Sequence, residues 1–278
     1  MLAVDKNLIA DFYSLLDSPP PSGRQKEQVV QEYLEMHSEL IPTQNLLNHH
    51  LHLETIVSKF PLGTELTTDY LYITKSSDTW RITLVEIESP DKPIFTGDMK
   101  KVTTTAEFNA ALNQVRSWKY FIEDSKAEVI RRLEPLLRPL VLRNNQIEFH
   151  YQLIIGRSKA KNLSEERKKH FRGLGLETGI DLLTFDKVVS WYENGRPYKK
   201  LVLRLTGNRY AFKHMHFEPK HMLAHLGPDG LELTSEEIER LKTAGYEIEK
   251  WREGDLLVFN GKLTKSSWIA GHNPSIAQ

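Results

Sequence analysis

The chain alternates between apolar stripes at helical spacing and short apolar runs bounded by turn residues. Residues 7–17 carry a helical pattern that "SPPPSG" at 18–23 interrupts, because three consecutive prolines stiffen the backbone and remove amide donors. Val29, Val30, Tyr33, Leu34 and His37 fall on one face of a helix over 25–37. Residues 51–60 alternate weakly and run into a "PLG" turn at 61–63. Two strands follow, 66–74 and 80–88, joined by a polar turn at 75–79, which is the pattern of a β-hairpin. Phe108, Ala111, Val115, Trp118 and Ile122 recur every three or four positions and predict a core-facing helix over 103–124. A second helix is expected at 125–138, stopped by Pro139.

Further along, 146–156 reads as a buried strand ending at Gly156, and 163–175 as a helix capped by Ser164 and closed by its glycines. A strand at 179–186 and a helix at 186–195, ended by Gly195, complete the centre. The order strand-strand-helix-helix-strand-helix-strand-helix predicts an α/β fold, a mixed sheet flanked by helices. Beyond 200 the pattern changes. A strand and a His/Met-rich stretch occupy 201–226, and a turn lies at 228–230. Thr234 and Glu237 form a capping box for a helix at 235–244, and Asn260-Gly261 marks a hairpin within 255–263. The expected division is an N-terminal helix and linker at 1–23, a main domain at 24–200 and a small α+β C-terminal extension at 201–278.

Composition narrows the function. With 278 residues, 40% hydrophobic and 27% charged, the chain is long enough to bury a real core and reads as soluble and globular. Lys+Arg and Asp+Glu are both 37, so any basic surface must come from local segregation of charge. The absence of cysteine excludes disulfide scaffolds, thiolate zinc sites and thiol nucleophiles, and fits a reducing cytoplasm. No window approaches a membrane span, and the N-terminus, with Asp5, Asp11 and Asp17, is no signal peptide. Neither a glycine-rich phosphate loop nor a G-x-S-x-G is present.

Candidate chemistry centres on the hairpin. Glu86 and Glu88 stand two apart at the end of an apolar strand and point the same way. If Ser77-Asp78 is a two-residue turn, Asp69 lies directly opposite Glu86; a four-residue loop keeps Asp69 on that face, and a one-residue slip removes it. Three carboxylates this close repel one another unless a cation intervenes, and hard oxygen donors suit magnesium or manganese. A solvated hairpin face also carries acids of this kind, so spacing alone leaves both readings open.

Two histidine groups are weaker candidates: His49, His50 and His52 in "NHHLHLE", and His214, His216, His221 and His225 in "KHMHFEPKHMLAH". His50 with His52 on a strand, or His221 with His225 on a helix, has metal-ligand spacing, yet no H-E-x-x-H motif joins them. Basic runs at 157–172 and 196–204 are solvated faces or, beside a metal site, a track for a phosphate backbone. Trp191 and Tyr198 nearby are candidates for base stacking or for core packing.

The arrangement resembles the restriction-endonuclease-like fold, the PD-(D/E)xK nucleases: an acid at one strand end, acid-x-lysine on the next, then a helix. More narrowly, "TTDYLYIT…LVEIESPDKPIF…AEFNAALNQVRSWKYFI" resembles the nuclease domain of the Shedu antiphage defence proteins. "EQVVQEYLEMHSELI" resembles that family's opening helix, with Glu27 and Gln31 matching, and Ala111, Gln114 and Trp118 match its A-x-x-Q-x-x-x-W helix. The resemblance covers about 25–190. It implies a metal-dependent DNA endonuclease acting against phage, in which Asp69 and Glu86 hold magnesium or manganese, Gln114 orients water or a phosphate oxygen, and Glu27 adds a ligand. A homo-oligomer, dimer or tetramer, and a phage-derived trigger are also implied, with residues beyond 200 as the candidate for sensing or assembly.

One position departs from the family pattern: Glu88 stands where the family usually has lysine. Glu88 can act as general base or added ligand but cannot stabilise a phosphorane. Lys92, Lys100, Lys101 or Lys119 could supply the missing charge. Alternatively catalysis is lost, and the protein binds nucleic acid or a phage component and acts by assembly.

Overall fold

Residues 3–98, 101–195, 197–259 and 268–270 are described by the computed structural model. In chain order the elements are α1 (Lys6–Asp17), α2 (Lys26–Met36), β1 (Leu51–Ser58), β2 (Tyr70–Lys75), β3 (Thr79–Ile87), α3 (Ala106–Leu133), β4 (Gln146–Ile154), α4 (Ser158–Lys161), α5 (Glu165–Thr178), β5 (Ile180–Leu183) and α6 (Phe185–Asn194). Then come β6 (Leu201–Thr206), β7 (Arg209–His214), α7 (Lys220–Leu223), β8 (Leu231–Glu232), α8 (Ser235–Thr243), α9 (Ile248–Arg252), β9 (Leu257–Phe259) and β10 (Trp268–Ala270). Eight strands form one mixed sheet in the order β5-β4-β3-β2-β1-β6-β7-β8, flanked by helices, so the α/β expectation is met. The segment expected as an extension contributes β6, β7 and β8 to this same sheet, β6 lying parallel to β1. Among the described residues no helix is long and apolar enough to cross a membrane.

Strand alternation sorts the two faces. On β3, Trp80, Ile82 and Leu84 pack with Phe108, Ala111, Val115 and Trp118 of α3, while Val85 and Ile87 pack with α1, α2 and α6. On β2, Leu71 and Ile73 face α3, and Tyr70 and Tyr72 face the other layer. Each large apolar side chain buried this way contributes about 1.5–3 kcal/mol. By the same two-residue alternation Asp69, Glu86 and Glu88 fall on the α3 side, past the last apolar layer.

Several boundaries differ from the pattern-based expectation. α3 ends at Leu133 rather than at 138, and the expected division into two helices is present as a kink at Ser125, whose dihedral angles (φ −125°, ψ 25°) are non-helical. Its predicted face is buried throughout, and Thr105 caps its start. α5 begins at its Ser164 cap but runs through Gly173 and Gly175 to Gly179, whose φ of +66° ends it in the left-handed conformation. β2 begins at Tyr70, four residues later than expected. The Thr234–Glu237 capping box is present. β9 pairs with β10, Phe259 opposite Trp268; the turn expected at Asn260-Gly261 lies outside the described residues.

Candidate active site

Tyr70 pairs with Val85 and Lys75 with Trp80, the register of a two-residue turn at Ser77-Asp78. Continued by one residue, that ladder sets Asp69 opposite Glu86. Asp69, Glu86 and Glu88 are all buried, at 4–6% exposure. Asp69 is held on three sides. Its Oδ2 accepts the Ile87 backbone N–H at 2.6 Å, and its Oδ1 accepts the Gln31 amide at 3.0 Å and the Lys59 ammonium. Glu86 accepts the Gln114 amide from α3. Glu88 pairs with Lys92 beyond the strand end, and its own N–H is tied to the Ile154 carbonyl at 2.9 Å.

α2 brings the fourth carboxyl group from the opposite face. Glu27 lies in its first turn and Gln31 one turn later, so both reach the same end of the sheet. The Tyr70 hydroxyl anchors this helix by donating to the Gln31 carbonyl at 2.9 Å. Burial, then Asp69 and Glu88, push the Glu27 carboxyl up to about 7, with Lys92 opposing. Burial, then Asp69, Glu88 and Glu27, push Glu86 up to about 10, with Lys59 opposing. For the Lys59 ammonium, burial works to lower its pKa, but Asp69, Glu86 and Glu27 outweigh it and the net shift is upward.

The structure therefore brings together all the expected residues: Glu27, Asp69, Glu86, Glu88 and Gln114. Of the lysines considered, Lys92 reaches the carboxylates. Lys101 is exposed before α3, the Lys119 ammonium lies 3.8 Å from where a Gly179 side chain would begin, and Lys100 lies outside the described residues. Lys59 was missed. It follows β1 in a left-handed backbone conformation (φ +50°), which costs a lysine on the order of 1 kcal/mol, and local strain of this kind clusters at functional sites. Its signal in the sequence was a lone lysine ending a weakly alternating run. The role of Gln31 was missed too, though it stands one turn from Glu27.

Could this set hold a metal? Four carboxyl groups, Glu27, Asp69, Glu86 and Glu88, face two ammonium groups, Lys59 and Lys92. The excess of negative charge and the hard oxygen donors suit a divalent cation such as magnesium. As they stand, the oxygens are shared out among Lys59, Lys92, Gln31, Gln114 and the Ile87 N–H. Among the described residues no three His, Asp or Glu side chains converge closely enough to hold a metal ion. A cation here competes with the two lysines for the same oxygens.

The other candidates resolve differently. The two histidine groups meet: His49, His50, His52, His221 and His225 line a cleft of about 310 Å³ with Glu54 and Lys75, beside the opposite end of β2 from Asp69. His52 is buried with Nε2 2.9 Å from the Leu136 carbonyl, and burial holds its pKa well below the usual range. His216 bonds the Glu35 carbonyl at 2.8 Å and stacks on His214. Trp191 and Tyr198 enclose the buried Lys200 ammonium at 5.3 and 4.7 Å, which is core packing rather than a base platform. Lys199 pairs with Glu39 at 2.8 Å.

No curated protein matches the chain. The family model described as the C-terminal part of the Shedu protein SduA matches residues 24–189, more than half of the chain and every expected site residue. A chain matched over that length is a member of the Shedu family of antiphage defence proteins.

Proposed function

We propose that the protein is a metal-dependent DNA endonuclease of the restriction-endonuclease-like kind, acting in defence against phage, with magnesium or manganese held by Asp69 and Glu86. Glu27 and Glu88 are the further carboxyl groups within reach. The observation that carries this reading is the meeting of four carboxyl groups, two lysines and Gln114 at the end of one strand pair. When bound, the cation would neutralise phosphoryl charge and acidify water.

The chain's own residues would do the rest. A water oxygen bonds to phosphorus as its proton passes to Glu88, the general base. The bond from phosphorus to the leaving deoxyribose oxygen breaks, and that oxygen is protonated from solvent. Lys92 supplies the positive charge that the family usually carries at position 88 and steadies the charge on the phosphorane. The Gln114 amide orients the water or a phosphate oxygen.

A second reading keeps the fold and drops the chemistry: the protein binds nucleic acid or a phage component and acts by assembly. Glu88 in place of lysine favours it, as does the finding that among the described residues no three His, Asp or Glu side chains converge on a metal position. Incubation with linear and supercoiled DNA in magnesium, manganese or EDTA separates the two. Metal-dependent cutting that Glu86→Ala abolishes supports the nuclease. Binding without cutting in any metal supports the second reading. Assembly as a dimer or tetramer, and release of activity by a phage-derived trigger, belong to the same proposal and are checked by sedimentation with and without residues 201–278.

A further inference from the structure

The sheet register connects the carboxylate cluster to the outer edge of β5. Ile87 pairs with Ile154 and Ile154 with Leu183, so the end of β5 stands level with Ile87, between Glu86 and Glu88 in the chain, two strand spacings away, about 10 Å. Beyond the strand ends the chain stays in contact over that distance. The Gly156 N–H donates to the Ser89 carbonyl at 3.3 Å, and the Phe185 N–H to the Gly156 carbonyl at 3.1 Å. Gly156 lies so close to the Lys92 carbonyl that a Cβ would come within 2.6 Å of it, and its φ is +62°. Lys92, which touches Glu88, is thus one chain crossing from the start of α4.

Past that crossing a cleft of about 430 Å³ opens along β5, the end strand of the sheet. Lys161 of α4, Lys168 and Arg172 of α5 and Lys187 of α6 line it. Its one acid, Asp181, already accepts the Asn45 amide at 2.7 Å. Lys168 pairs with Glu165 on its own exposed helix face, a pair worth little in water. The Lys161 ammonium lies 5.3 Å from the centre of the Phe171 ring; burial, then Lys168 and Lys187, lower its pKa, with Asp186 opposing. Arg172 and Lys187 enter no ion pair among the described residues. A two-fold pairing of β5 edges would set these cations against their own copies, which disfavours a second chain as the occupant. A polyanion matches the charge.

We propose that this cleft holds the phosphodiester backbone of DNA flanking the bond to be cut, along a path from Lys92 over α4 to the edge of β5. The proposal takes the identity of the polyanion from the nuclease reading. At 3.4 Å per nucleotide, the 10 Å offset corresponds to about three nucleotides from the reacting phosphate.

The test is binding of a fluorescent duplex in EDTA over a range of salt, read by anisotropy. Lys161→Gln/Arg172→Gln/Lys187→Gln is compared with wild type, with Glu86→Gln, and with Lys242→Gln/Lys250→Gln/Arg252→Gln on α8 and α9. The cleft variant should lose about three units of salt slope and about tenfold or more in affinity near 0.1 M salt. The other two variants should bind as wild type does. Wild-type affinity and slope in the cleft variant, or a wild type that binds no duplex, overturns the proposal. Equal losses in the α8–α9 variant reduce the effect to net charge and overturn it too. A changed oligomer by sedimentation with unchanged binding gives the edge to a second copy instead. Failure of the nuclease reading is visible separately, as a wild type that cuts nothing in magnesium or manganese while the cleft variant still loses binding.

Discussion

Lys92 pairs with Glu88 four residues upstream, across the turn that follows β3. The pair sets a positive charge at the strand end beside the Glu88 carboxylate. It is also half of the charge balance of the site, Lys59 on Asp69 being the other half.

If Lys92 carries the role that the family gives to a strand lysine, Lys92→Met should lower kcat for DNA cutting about 10²-fold, in the range of a lost oxyanion donor. DNA binding in EDTA should change less than about threefold, and Lys92→Arg should restore part of the rate. Single-turnover cutting checks this. Unchanged kcat in Lys92→Met would reduce the lysine to a neutraliser of Glu88.

Asp69 is structural as well as chemical. Asp69→Ala leaves the Ile87 N–H and the Gln31 amide without their buried acceptor, at a cost of about 2–4 kcal/mol. Thermal unfolding should show a fall of roughly 5–10 °C. Asp69→Asn retains an acceptor and should lose much less stability while losing activity.

Glu86 should show the opposite sign. Its carboxyl is raised from 4.5 to about 10, so the folded protein keeps a proton that the unfolded chain releases. The stability this provides is complete below about pH 4.5 and is lost as pH rises toward 10. Glu86→Gln imitates the protonated form. The variant should unfold later than wild type at pH 8, by about 1–3 kcal/mol, and match it at pH 4. Equal shifts at both pH values would show that Glu86 is ionised in the folded protein.

Metal binding should carry the same protons. Glu27, raised to about 7, and Glu86, raised to about 10, must lose a proton to serve as ligands. Calorimetry with manganese should show tighter binding at pH 8 than at pH 6, with protons released to the buffer. Lys59→Met frees an oxygen of Asp69 and should tighten binding further. Affinity independent of pH, with no proton release, would argue against these carboxyl groups as ligands.

A fifth test concerns Lys200, far in role from the carboxylates. Its ammonium donates to the Ser38 carbonyl at 2.8 Å inside the Trp191–Tyr198 cage, and burial lowers its pKa to about 7, Glu39 opposing. The group lowers the folded protein's proton count between pH 7 and 10.5. Its favourable contribution is present above 10.5 and lost as pH falls through 7. Lys200→Met should be more stable than wild type at pH 6 by about 1–3 kcal/mol, with the gap closing toward pH 10. Denaturant unfolding across that range measures it.

Some errors of boundary have a physical reason in packing. Gly175 reads as a helix stop, yet α5 continues through it because the start of β5 passes there: a Cβ would stand 3.2 Å from the Ile180 carbonyl. The residue is small to admit a strand, not to end a helix. The division expected between 124 and 125 is there as the kink at Ser125, and the apolar face resumes beyond it at Val129 and Leu133, so the same core takes both helices.

What the sequence determined by itself was local and periodic. The spacing of Phe108, Ala111, Val115 and Trp118 made a helix with one buried face, and the alternation of β3 with a two-residue turn set Asp69 opposite Glu86 and on the side of Glu88. Those relations follow from backbone geometry over a few residues. The tertiary structure alone decided which charges meet those acids. Lys59 reaches Asp69 because the loop from 59 to 69 closes with the Lys59 N–H on the Asp69 carbonyl at 2.9 Å. Glu27 and Gln31 arrive from the opposite face because Val30 and Leu34 bury α2 there. Burial and neighbouring charge set the ionisation of Glu27 and Glu86, and both depend on long-range packing that no spacing along the chain encodes.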